Sequence, residues 1–85
     1  MQDKIYTSAN EFDWSEGSEI KVVKLGKEMV EIQLNRKGLK DFMAILQFML
    51  DESIENVHFD SWEITGPLAD GSLELSIWLK DTIGK

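Results

Sequence analysis

Cysteine is absent from these 85 residues, so neither a disulfide nor a thiolate-bound metal braces the fold, and nothing points to an oxidising compartment. Bases are scarce: nine lysines and arginines stand against sixteen acids, giving a net charge of -7. That balance opposes a nucleic-acid partner, because phosphate binding rests on cationic side chains. No apolar run approaches the roughly 18 residues of a membrane span. The stretch MQDKIYTSANEFDW has neither a basic n-region nor an apolar h-region, so a cytoplasmic protein without membrane contact is expected. Phosphate-cradling and dinucleotide-binding glycine motifs are missing, as is any basic aromatic stripe. No cofactor is implied. A chain this short buries roughly 60 to 65% of its unfolded surface, enough for one domain with a modest core.

The charge that is present is unevenly spread. Residues 1–20 hold five acids and one lysine, residues 21–40 six bases and two acids, and residues 41–85 nine acids and two lysines. Most such charges are solvated surface that keeps a protein soluble, and a strongly acidic surface also steers encounters with a basic protein.

Two β-branched or alternating runs, EIKVVKL and MVEIQLN, flank the turn signal around Gly26 and predict a hairpin. Asn35 is placed to cap a helix through RKGLKDFMAILQFMLDES. At about 100° per residue, Leu39, Phe42, Met43, Leu46, Met49 and Leu50 form its expected core stripe. Gly38 in the first turn costs about 1 kcal/mol of helix propensity relative to alanine. Ile45 and Phe48 fall outside the stripe and are expected to face away from the sheet. They would be covered by the N-terminal arm (Ile5, Tyr6, Phe12 or Trp14), by a second copy, or by another partner. Asn56 to Trp62 reads as a third strand, and SLELSIWLKD as a fourth with Leu73, Leu75, Ile77 and Leu79 inward.

The expected fold is therefore α+β: a two-layer β-β-α-β-β domain over residues 19–85, one helix on one face of a four-stranded, antiparallel-rich sheet, preceded by an arm at 1–18. Pairing the last two strands about Leu68 sets His58 opposite Trp78, Asp60 opposite Ser76 and Trp62 opposite Glu74, on the face away from the helix. Cross-strand pairing alone accounts for such a pattern, at roughly 0.2 to 1 kcal/mol per pair. Tryptophan among acids is also the composition of a binding hot spot, which makes His58, Asp60, Trp62, Glu74 and Trp78 the candidate partner-binding residues. A Ser76–His58–Asp60 triad is disfavoured, because strand neighbours on one face lie roughly 6.5 to 7 Å apart and no oxyanion hole is at hand. A metal site from His58, Asp60 and Glu74 lacks the usual ligand spacings. The expectation is a binding protein, not an enzyme.

The runs EIQLNRKGLKDFMAILQFMLDES, NVHFDSW and LADGSLELSIWLKD resemble the immunity protein 32 family of bacterial polymorphic toxin systems. The likeness lies in an N-x-x-G-L helix start after a strand, a short strand opened by histidine and a hydrophobic residue, and a last strand opened by L-x-x-x-x-L. It spans about Glu31 to Asp81; the first thirty residues carry no such signal. The resemblance implies a cytoplasmic antidote that binds one cognate toxin domain, a basic one by charge. The alternatives are a homodimeric structural or regulatory interaction domain and an acidic mimic of nucleic acid.

Overall fold

The computed structural model describes residues 6–60, 67–81 and 83. In chain order they form β1 (Tyr6–Ser8), a 3-10 turn (Ala9–Glu11), β2 (Ile20–Leu25), β3 (Met29–Leu34), α1 (Arg36–Glu52), β4 (Asn56–Phe59) and β5 (Leu75–Trp78). The fold is a small α+β domain with five strands in two sheets.

The first sheet is the predicted hairpin. Gly26, at φ 70°, makes the tight turn that L residues rarely adopt, and the strands pair from Ile20–Leu34 to Leu25–Met29. Ile20 and Val22 point into the core and are almost wholly buried, so Leu34 and Ile32 opposite them share that face, as does Val30 two residues before Ile32. The second sheet has the order β1-β4-β5, with β4 central, parallel to β1 and antiparallel to β5. Alternation buries Val57 and Phe59 completely on the inner face of β4.

The expected single four-stranded sheet does not form. The chain before β5 instead runs beside β2: Ile20 N–H donates to Pro67 C=O at 3.2 Å, Ala69 N–H to Ile20 C=O at 2.8 Å and Leu73 N–H to Val22 C=O at 2.7 Å. The hydroxyl of Ser72, a buried residue, accepts from Val22 N–H at 2.8 Å in place of a backbone carbonyl. These bonds satisfy the inner edge of β2 with loop, and loop occupies the place a fourth strand would have taken. Tyr6–Ser8, read from sequence as part of an arm, supplies the missing neighbour of β4 instead.

Asn35 caps α1 as expected: its Oδ1 accepts from Gly38 N–H at 2.7 Å. The same oxygen also accepts from Glu19 N–H at 3.0 Å, and its Nδ2 donates to Gly17 C=O at 2.7 Å, so one amide ties the helix start to the entry of β2. At the other end Ser53 takes the left-handed conformation (φ 56°), and the N–H groups of Ser53 and Ile54 both reach Met49 C=O.

The buried face of α1 differs from the predicted stripe. Gly38, Ile45 and Met49 are buried with Phe42 beside them, whereas Leu39, Met43, Leu46 and Leu50 are exposed. At 100° per residue the helix is rolled by roughly 75° from the expected setting. The cause is Gly38: a Cβ there would collide with the Glu19 carbonyl oxygen, so this face alone approaches the backbone of the chain entering β2. Ile45, expected to face away from the sheet, lies in the core with Ala9, Ile20, Ile54, Val57 and Phe59.

Gly38→Ala should therefore destabilise the protein by about 1–3 kcal/mol through overpacking, although alanine is the better helix former by about 1 kcal/mol. A lowered urea midpoint with unchanged slope is the expected reading, and a raised midpoint would contradict the close approach.

Candidate partner-binding surface

Because Val57 and Phe59 point inward, Asn56, His58 and the following Asp60 lie towards the outer side of the three-stranded sheet. Across from them stand the exposed Ser76 and Trp78 of β5. The face is the one predicted, and the register is two residues off: His58 pairs with Ser76, and Trp78 with Asn56. The link between β4 and β5 is therefore centred one residue earlier than Leu68.

Asn56 is the residue the sequence reading missed. It is nearly buried, its Nδ2 donates to Ser76 Oγ at 2.8 Å and to Ile77 C=O at 3.1 Å, and its Oδ1 sits 3.4 Å from His58 Nδ1. Since the Ile77 carbonyl only accepts, the amide orientation is set, and His58 Nδ1 is the donor to Asn56 Oδ1. The other ring nitrogen, Nε2, lies 3.5 Å from Asp60 Oδ2. Asp60, His58, Asn56 and Ser76 thus stand in a row across the face, with the imidazole held through Nδ1 by Asn56 and its Nε2 placed to pair with Asp60 in the protonated ring. Neither ring nitrogen addresses Ser76, so the geometry is not that of a nucleophile and its base. The signal available in sequence was an asparagine, disfavoured in strands, two residues before a histidine on the same face.

Trp78 is 45% exposed, and Lys80 Nζ sits 5.5 Å from its ring centroid, within cation–π range. Glu74 is exposed just before β5. Trp62, the remaining predicted site residue, lies outside the described residues. His58, Asp60 and Trp78 are thus brought onto one sheet face, and among the described residues no group of three His, Asp or Glu side chains could hold a metal ion.

The back of α1 carries the second candidate pair. Phe48 is met edge-on by Phe12, with ring centroids 5.4 Å apart and planes at 81°. Trp14 lies edge-on to the core ring of Phe59 at 6.0 Å and donates from Nε1 to Ala9 C=O at 2.8 Å. Asp41 holds the rest of this segment: Oδ2 accepts from Ser15 N–H at 2.7 Å and from Ser18 Oγ at 2.5 Å, and Oδ1 from Ser15 Oγ at 3.1 Å. Lys37 Nζ adds a bond to Glu16 C=O at 2.9 Å. Beside Phe12 and Phe48 lies an open groove of about 520 Å³ whose rim carries Glu11, Asp13 and Glu52.

Donation by the Ser18 hydroxyl, and next by Ser15 N–H, holds the Asp41 carboxyl below its ordinary value of 3.8. A depressed folded pKa stabilises the protein fully above the ordinary value, and that contribution is lost as pH falls through the depressed one. Asp41→Asn should therefore lower stability at neutral pH, with the gap to the parent narrowing as pH falls below 3.8 in urea titrations. A gap independent of pH would contradict the charged clamp.

Compared with family models, with curated proteins and with solved structures, the chain has no match.

Proposed function

We propose that this protein is a cytoplasmic, non-enzymatic binding module that neutralises a cognate basic toxin domain by one-to-one contact. The observation that carries the reading is the outer sheet face. Trp78 stands half-exposed on a surface that is normally polar, near an imidazole placed between Asn56 and Asp60. An aromatic side chain has few rotatable bonds and loses little entropy on binding, which is one reason tryptophan is enriched at hot spots. The net charge of -7 supports a cationic partner, because complementary potentials raise association rates.

The toxin component rests on the resemblance to the immunity protein 32 family. Its Asn35-x-x-Gly38-Leu39 helix start has a physical role in this chain: Asn35 caps the helix, and Gly38 admits the Glu19 carbonyl. The antidote role assigns His58, Asp60, Glu74 and Trp78, with Trp62, to the contact.

The test is to read the neighbouring gene and to titrate this protein calorimetrically with its C-terminal domain; a neighbour without a toxin-like domain would count against the antidote role. One-to-one binding is expected, with Trp78→Ala weakening affinity by roughly 30-fold or more and leaving the circular dichroism spectrum unchanged. Association should also slow steeply with added salt. Full affinity in the Trp78 variant would remove this face from the contact.

A further inference from the structure

The exposed side of α1 carries a feature that toxin binding through the sheet does not use. Leu39, Met43, Leu46 and Leu50 are spaced four, three and four residues apart, the a/d rhythm of a helix-pairing seam. At 100° per residue they fall within an arc of about 60°, roughly 100° away from the buried face centred on Gly38, Ile45 and Met49. The N-terminal segment lies on the opposite flank, against Phe48, Asp41 and Lys37. Val30 and Ile32, on the inner face of the adjoining β3, are exposed as well.

We propose that this seam pairs α1 with α1 of a second copy, antiparallel, about a two-fold axis between Met43 and Leu46.

The orientation follows from charge. Arg36, Lys37 and Lys40 crowd the start of α1 and Asp51 and Glu52 its end; no acid lies in the first turn and no base in the last. Each sign stands at the wrong pole of the helix dipole, which favours acids at the N-terminus and bases at the C-terminus. Arg36, Lys40 and Asp51 are exposed along one border of the seam, with Gln47 donating to Asp51 at 2.8 Å. An antiparallel partner brings the partner's Asp51 against Arg36 and Lys40, and the reverse, and opposes the two dipoles. A parallel partner would set like charges against each other. The pattern is self-complementary in one orientation only, as an isologous contact requires.

The area agrees. Val30, Ile32, Leu39, Met43, Leu46 and Leu50 are each between 39% and 64% exposed. Together they present on the order of 600 Å² of surface, the upper end of the largest patch on an ordinary monomer. A standard interface buries about 800 Å² per partner, and about 65% of a homodimer contact is apolar. One copy thus presents about the apolar area that one side of such a dimer needs. The seam is separate from the outer sheet face, so the inference does not depend on the toxin reading.

Sedimentation equilibrium across a concentration series tests it. The expected mass is twice the chain's 9.8 kDa. Met43→Glu should raise the dimer dissociation constant by roughly 30-fold or more with the helical spectrum retained, and Trp78→Ala should leave it unchanged. Lys40→Glu and Asp51→Lys should each weaken the dimer, and the double variant should recover it. A chain monomeric at every concentration, a dimer indifferent to Met43→Glu, or a double variant no better than the singles would each overturn the proposal.

Discussion

The close approach of the Glu19 carbonyl to Gly38 organises this molecule. Asn35 serves three masters there: the helix start at Gly38, the N–H of Glu19 and the carbonyl of Gly17. A fold with no cysteine and a modest core gains from such a junction, because one side chain satisfies donors and acceptors from two chain segments that would otherwise be stranded. The junction also decides how α1 is rolled. With Gly38 pressed to backbone, Ile45 and Met49 follow it into the core, and the leucines one step round the helix are left outside. The apolar seam is thus a by-product of the capping geometry as much as of the helix sequence.

The two flanks of α1 then acquire different characters. One is closed within the chain by Phe12 on Phe48 and by serine hydroxyls on Asp41, an arrangement that holds an acidic segment against the helix. The other is apolar and exposed. On the outer sheet face the β4–β5 pair presents a tryptophan and an imidazole beside Asp60. With three faces of separate chemistry on one small domain, the proposed self-association and the proposed partner contact fall on surfaces that do not overlap.

Much of this was legible from pattern alone. The helix, its Asn35 cap, the β2–β3 hairpin and the inward facing of Val57 and Phe59 all follow from local periodicity and capping chemistry, which depend on neighbours a few residues away. The misreadings share a cause: each depended on a contact distant in sequence. Periodicity on α1 offered two adjacent apolar arcs, 39/43/46/50 and 38/42/45/49, and glycine at 38 scores as a weakness in any hydrophobic count. Its meaning appears only beside Glu19. Asn56 was undervalued because its partners, Ser76 and Ile77, lie some twenty residues on. The loop that displaces a fourth strand from β2 does so through Ser72, a polar residue that strand patterns ignore.

The pairing of β1 with β4 has a consequence for how the chain reaches this state. Parallel strands need a long crossover, and here everything between Ser8 and Asn56, the hairpin and α1 included, lies within it. Residues 6–8 leave the ribosome well before their partner exists, so they wait unpaired while local elements form first. The edge of the sheet should then close last in folding and open first in hydrogen exchange, taking with it the 3-10 turn and the base of the acidic groove beside Phe12 and Phe48.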